Sequence, residues 1–321
     1  MELWQMNFSA LIDNFGELTV TGFTQGAIYA LVALGYTLVY GVLRLINFAH
    51  SEVFVTGTFA AILTFRLVGV GADEAVPSAA IVIAAIAAAT VAAMAASGAT
   101  ALVVERVAYR PLRKRNAPPL VFLISAIGAS IAISEAFGVF YSRDNVPVGN
   151  LIDPSTQFEI FGASITNLQI LIVVVAFGMM ILLDTIINRT RLGRGIRAVA
   201  QDPDAAALMG VNKDRVIAWT FVLGGLMAGV AAVLYDLRFG ATKFNAGFLL
   251  GLKAFTAAVL GGIGNLRGAL LGGLLLGLIE NWGQAVIGSS WRDVIAFVFL
   301  ILVLMFRPTG LLGESLGRAR A

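Results

Sequence analysis

The chain contains no cysteine and only one histidine. Disulfides and thiolate metal sites are excluded, and so is a histidine-rich metal centre. Charge is also scarce. Asp, Glu, Lys and Arg make up 13% of the residues, against roughly 25% in soluble globular proteins. No Gly-x-x-x-x-Gly-Lys-Ser/Thr phosphate loop occurs, so this chain is not expected to bind ATP. The run Gly261-Gly262-Ile263-Gly264 has the wrong spacing for a dinucleotide fingerprint and follows an apolar segment rather than a strand. No Ser/His/Asp set, paired-histidine motif or Gly-x-Ser-x-Gly elbow is present, so an enzyme is not indicated. No cofactor and no nucleic-acid partner are expected. No long polar segment offers a separate soluble domain, and 1–321 reads as a single transmembrane domain.

What is present is apolar. Hydrophobic residues make up 59% of the chain, and the mean hydropathy is +0.88. They come in long blocks rather than in alternation. That pattern predicts an all-α polytopic membrane protein rather than a barrel. A spanning helix needs about 20 mostly apolar residues. Candidate spans lie near 18–43, 49–69, 77–104, 118–140, 167–188, 216–236, 267–287 and 291–306. The stretch 246–264 carries Lys253 and several glycines. It either crosses fully, giving nine spans, or forms a broken, re-entrant segment beside eight. Within the spans, Gly22 and Gly26, Gly225 and Gly229, and Gly273 and Gly277 form small-xxx-small pairs that suit close helix packing. In residues 1–17, Leu3, Trp4, Phe8, Leu11, Ile12 and Phe15 recur at helical spacing. They predict an amphipathic segment on the membrane surface. With no basic residue ahead of its apolar run, it does not look like a cleaved signal peptide.

Basic residues concentrate in two loops. One carries Arg106, Arg110, Arg113, Lys114 and Arg115. The other carries Arg189, Arg191, Arg194, Arg197, Lys213 and Arg215. The positive-inside rule puts both in the cytoplasm and 141–166 outside. Counting outward places the N-terminus outside. With nine spans the C-terminal tail, with Arg307, Arg318 and Arg320, falls in the cytoplasm.

The second basic loop, 189–215, has a shape written into it. Leu192, Ile196 and Val199 fall at helical spacing, with Arg191, Arg194 and Arg197 between them. A residue before proline disfavours helix, so this first helix should end near Gln201. Asp202 is a good N-cap, Pro203 a good first helical residue, and Asp204 suits the helix dipole. Gly210 supplies the stop. Two short helices with a sharp corner are predicted. On charge alone, the elbow fits either a protein partner or anionic lipid headgroups.

Intramembrane polar groups are the other candidates, because a charge in lipid is costly. Glu135, Glu280 and Asn281 sit within or at the end of apolar runs. Each acid either pairs with a neighbouring helix or lines a path. Asp184 and Asp236 lie near predicted helix ends and are expected to be interfacial. In RLINFAHSE, Arg44 to Glu52, helical spacing would put Asn47, His50 and Ser51 on one face and Glu52 on another. This stretch is expected to be a polar corner at the cytoplasmic interface, with Arg44 snorkelling. Asn47 and His50 remain gate or path-lining candidates. The residues alone also leave open an ion- or proton-coupled carrier or a channel acting without partners.

The run Asp204-Ala205-Ala206-Ala207-Leu208-Met209-Gly210 is similar to the acidic-Ala-Ala-x-x-x-Gly core of the coupling loop in ABC importer permeases. The later Leu-Pro part of that loop is absent here. Five stretches, GAIYALVALGYTLVYGVLRLINFAHSE (26–52), ERVAYRPLRKR (105–115), RLGRGIRAVAQDPDAAALMGVN (191–212), AFTAAVLGGIGNLRGALLGGLLLGLIEN (254–281) and FRPTGLLG (306–313), resemble the branched-chain amino acid ABC transporter permease family of the LivH type. Ser51 stands where that pattern has glycine. The resemblance covers nearly the whole chain. It implies a permease subunit of the bacterial inner membrane, working as a heterodimer with a second permease. Two ATP-binding cassette ATPases and an extracytoplasmic solute-binding protein would complete the importer, and ATP hydrolysis would belong to those partners. Arg194, Arg197, Asp202, Pro203, Asp204, Ala205, Ala206 and Gly210 would then form the coupling surface. Importers of urea, short amides and aromatic acids are similar, so the implied substrate is Leu, Ile or Val with those as alternatives.

Overall fold

Apolar runs of this length satisfy their backbone hydrogen bonds inside the segment by forming helices, the economical solution where no water is available. The computed structural model describes residues 8–70, 78–149, 151–152, 155–160, 162–307 and 309–313. Leu3 and Trp4 of the amphipathic segment, and Arg318 and Arg320 of the tail, lie outside these. The chain opens with α1 (Phe8–Asp13), α2 (Phe15–Leu43), α3 (His50–Leu67) and α4 (Ala79–Val104). A π-helical turn (Glu105–Tyr109) carries α4 into α5 (Arg110–Lys114), so this helical column runs ten residues past the predicted end of its span. Next come α6 (Pro119–Phe140), β1 (Val146–Pro147), β2 (Thr156–Ile160), β3 (Ala163–Thr166) and α7 (Asn167–Arg189). Two short helices follow, α8 (Arg191–Gln201) and α9 (Pro203–Leu208), then α10 (Lys213–Phe239) and β4 (Ala241–Thr242). The chain closes with α11 (Ala246–Gly261), α12 (Leu266–Ile287), a 3-10 turn (Ser289–Trp291) and α13 (Arg292–Phe306). β2 pairs antiparallel with β3, and β1 with β4.

Among the described residues, seven helical segments are long and apolar enough to cross a membrane. α3 and α11 are not among them. α3 has 18 residues and begins on the polar triplet His50, Ser51 and Glu52. α11 has 16 residues. At 1.5 Å per residue it is about 24 Å long, short of a hydrocarbon core of about 30 Å. The segment 246–264 is therefore a short helix followed by a glycine turn, with Gly262 and Gly264 both at positive φ.

α2 and α10 are apolar on every face and form the centre of the bundle. α4, α6, α7 and α13 surround them and turn Ile83, Ile124, Ile181 and Ile301 outward, as a lipid-facing surface requires. Glycines set the closest approaches. α2 and α12 run antiparallel, with Gly26 against Gly273 and Gly22 against Gly277. A Cβ added at any of these four would meet the facing helix's backbone. Gly225 and Gly229 of α10 face Ser97 and Ala93 of α4 in the same way.

The two ends of the bundle differ. At one end, Tyr109 donates to the Ile46 carbonyl, Arg113 pairs with Asp214 at 2.7 Å, and the backbone of Leu311 and Leu312 bonds to the end of α11. The basic stretches 105–115 and 189–215 both sit there, with Arg44 and Arg307. The opposite end carries the four strands and the acidic stretch containing Asp144 and Glu159.

Candidate functional site

The elbow has the local structure its sequence predicts. α8 ends at Gln201, and Ile196 and Val199 are buried while Arg191, Arg194 and Arg197 stay exposed. Arg197 does more than provide charge. Its guanidinium donates to the Ile187 carbonyl at the end of α7 and so fixes the angle between α7 and α8. Gly193 permits that fold-back, since a Cβ there would collide with the same carbonyl. Asp202 caps α9 by accepting from the backbone N–H groups of Asp204 and Ala205, both at 2.9 Å. Pro203 opens the helix. Gly210 at φ +85° closes it: its N–H bonds to Ala207 O, and that of Val211 bonds to Ala206 O, a Schellman ending. Ala206 is buried, Ala205 is exposed, and Asp204 pairs with Lys213 at 3.2 Å on the surface. Replacing Asp202 by alanine should remove the cap and destabilise α9 by about 1 kcal/mol. Faster hydrogen exchange at the amides of 204–206, with exchange in α8 unchanged, is the expected readout.

Sequence reading missed the most exposed apolar pair of the elbow. Leu208 and Met209, at the end of α9, are 89% and 85% exposed. The signal was an apolar pair beside a terminating glycine in an otherwise polar loop. The pair lies at the basic end of the bundle, outside the helical belt.

The corner RLINFAHSE departs from expectation. α2 ends at Arg44, which takes the left-handed conformation (φ 52°) and is exposed. The chain then turns into the bundle instead of along its surface. α3 begins only at His50, so Asn47 precedes the helix and shares no helical face with His50 and Ser51. His50 is 1% exposed and packs against Gly35 of α2 and Gly224 of α10. Gly35 lies eight residues before Leu43, the end of α2, so His50 is roughly 12 Å along that helix from its basic end. Its ring meets Tyr36 edge-on at 4.8 Å. Its Nε2 has no hydrogen-bond partner in the described residues. Asn47 accepts from the Tyr109 hydroxyl at 3.2 Å, which ties the corner to the π turn.

The remaining candidates separate. Glu280 is fully buried and meets Lys253 Nζ and Arg292 Nε, each at 2.5 Å; Lys253 also meets Asp293 at 2.5 Å. Asn281 is buried but turned to its own helix, donating to Gly277 O and accepting from Gln284. Glu135 is half-exposed and pairs with Arg143 at 2.6 Å. Asp184 lies within 3.7 Å of Arg267 and is partly exposed. Asp236 corrects the interfacial expectation. It is fully buried, and neither carboxyl oxygen has a partner among the described residues. No hydrogen bond joins His50 to Glu280 in the described residues.

A cavity of about 800 Å³ lies between α3, α6, α11 and the 240–246 turn. Glu135 lines it, together with Glu52, Lys253 and Arg292, none of which was a candidate from sequence. Lys253 had a legible signal, a lone charge in an apolar run. Glu52 did not, because the assumption of helix from Asn47 onward turned it away from its neighbours.

Comparison with known proteins agrees with this architecture. Residues 18–304 match the family described as branched-chain amino acid transport system / permease component. The chain is similar to the high-affinity branched-chain amino acid transport system permease protein BraD of Pseudomonas aeruginosa. The two are 46% identical over 310 residues, which cover 94% of this chain and 97% of that one. It is 43% identical to the permease protein LivH of Escherichia coli K12 over 94% of this chain and 96% of that one. A probable branched-chain amino acid transport permease of Methanocaldococcus jannaschii is 24% identical over 94% of this chain and 95% of its own length.

Proposed function

The chain belongs to the branched-chain amino acid transport permease family, and on that premise we propose that it is the membrane subunit of an ATP-driven importer of Leu, Ile and Val. It works beside a second, different permease in the bacterial plasma membrane. Two ATPase subunits sit on its basic end, and a solute-binding protein delivers substrate at the other. The positive-inside rule supports putting the basic end in the cytoplasm. With α3 and α11 also carrying the chain from one end of the bundle to the other, α2 starts outside and α13 finishes inside.

The observation that carries the reading is the capped elbow with its exposed tip. A connection that merely joined α7 to α10 would need neither the Asp202 cap, the Arg197 brace nor the Schellman ending. Together they hold Leu208 and Met209 out from the bundle in a fixed place. Arg194, Asp204 and Ala205 share the exposed surface around that tip. An ATPase groove closing on it would move α7 and α10 directly, since the elbow is braced on both. The path for solute uses the cavity beside α3, α6 and α11, with Glu135 at its rim. Asn47 and His50 hold the α2–α3 corner while the helices move, and Asn281 supports the α2–α12 contact.

Leu208→Asp combined with Met209→Asp tests this. Both side chains are exposed, so thermal stability should stay within about 0.5 kcal/mol of wild type. Loss of an interface anchor of roughly 2 kcal/mol or more predicts at least tenfold weaker retention of the ATPase subunits on the purified membrane complex. Wild-type retention and wild-type leucine-stimulated ATP hydrolysis in this variant would sink the coupling role.

A further inference from the structure

Glu52 is a buried acid with no ion pair among the described residues, and it lines a cavity. It is 1% exposed. Its Oε1 accepts from Ser130 Oγ at 3.3 Å and shares the Ser51 hydroxyl (3.3 Å) with the closer Phe48 carbonyl (2.8 Å), and its Oε2 has no partner among the described residues. The other fully buried glutamates also leave Oε2 without a hydrogen bond, but each has cations at Oε1. Glu280 has Lys253 and Arg292, and Glu105 has Arg110 and Arg113. Asp236 is as solitary as Glu52 but does not line this cavity.

The cavity around Glu52 has a mixed character. Lys243, Lys253 and Arg292 line it with Glu135; Lys253 and Arg292 are already paired with Glu280 and Asp293, but the Arg292 side chain is 31% exposed. Phe244, Phe248 and Leu249 contribute apolar surface, the last two largely exposed. Ser130 lies midway along α6, so Glu52 is near the middle of the bundle's depth. A solute reaching that depth has lost most of its water. An ammonium group without a counter-charge there is strongly disfavoured, and so is a carboxylate.

We propose that Glu52 receives the α-ammonium group of an amino acid crossing the membrane, with Arg292 facing the α-carboxylate and Phe244, Phe248 and Leu249 taking the aliphatic side chain. This rests on the importer reading and extends it to a residue and a ligand group. The zwitterion completes what the fold leaves open. Its cation supplies the partner that Glu52 Oε2 lacks among the described residues, and its anion meets the exposed part of the Arg292 guanidinium. A free aliphatic amine or a fatty acid would satisfy only one of the two.

The experiment uses the full complex in proteoliposomes with its binding protein and ATP, following radiolabelled leucine uptake and ATP hydrolysis together. Glu52→Gln keeps an amide oxygen for the two serine hydroxyls but removes the charge. Uptake should fall at least about tenfold, as expected for a desolvated ammonium left unpaired, with ATP hydrolysis continuing and the melting temperature unchanged. Glu52→Asp restores the charge on a shorter arm and should recover a large part of the rate. A Glu52→Gln complex importing leucine within twofold of wild type overturns the assignment. So does an aspartate variant no better than the glutamine one, since charge would then not be what matters. A melting temperature lowered equally in both variants also overturns it, in favour of a packing role. Wild-type complexes that import no leucine overturn the importer reading itself, a result visible before any variant is compared.

Discussion

Replacing Glu280 with alanine should destabilise the folded chain by about 3–5 kcal/mol, the loss expected when one member of a buried ion cluster is removed. Glu280 is fully buried, and Lys253 is 9% exposed at its side chain. Both cations around Glu280 depend on it: Arg292 meets it through Nε, and Lys253 has Asp293 as its only other acid among the described residues. Without Glu280, Arg292 loses its acid and the largely buried Lys253 keeps only Asp293 among the described residues. The cluster joins α11, α12 and α13, so the effect should spread beyond one side chain. Glu280→Gln should be milder, because the amide oxygen still accepts a hydrogen bond. Combining Glu280→Leu with Lys253→Leu should recover part of the loss, since a buried ion pair replaced as a unit by apolar groups is often nearly neutral. Thermal unfolding in detergent micelles reads all three. An alanine variant that melts with wild type would mean that water reaches the cluster and screens it.

Gly273→Leu should be comparably severe, by a different mechanism. A Cβ at 273 already meets the backbone and Cβ of Ala30. Overpacking usually costs about 1–3 kcal/mol and occasionally more. Here the obstacle is backbone rather than a side-chain tip that can rotate away, which places the expected loss at or above about 3 kcal/mol. The α2–α12 contact is the most extensive helix pairing in the molecule, and Gly22, Gly26 and Gly277 share it. Leucine at 273 must push the two helices apart along that whole seam. The measurement is the yield of monodisperse protein extracted from membranes, with Gly178→Leu as a comparison. Gly178 sits on α7 with nothing near its would-be Cβ, so leucine there should be tolerated. Equal yields for the two variants would refute the close-packing account.

The features legible in the sequence are those whose causes are local. Spanning helices follow from the length and apolarity of a run, and seven of the predicted segments appear as helices of spanning length and composition. The elbow was readable almost residue by residue. Asp202, Pro203 and Gly210 act on backbone groups two to five positions away, within reach of any reading along the chain. The glycine pairs were readable as packing sites, although which helix each would meet was not.

What the tertiary structure alone decided has a common reason: the partner comes from a distant segment. Glu280 is paired rather than free because α11 and α13 bring Lys253 and Arg292 to it. His50 is deep in the bundle rather than at its surface because Gly35 and Gly224, on two other helices, leave room for its ring. Asp236 near the end of α10 is buried rather than interfacial, which helix position cannot reveal. Glu52 came into view only when the turn at Arg44 reset the start of α3 and pointed its carboxylate at a cavity walled by α6 and α11. Sequence by itself determined that this chain crosses a membrane as helices and carries a shaped basic elbow, because hydropathy and capping act between near neighbours. Which buried charges are matched, and that Glu52 and Asp236 are not among the described residues, was settled by helix packing, because electrostatic pairing acts through space.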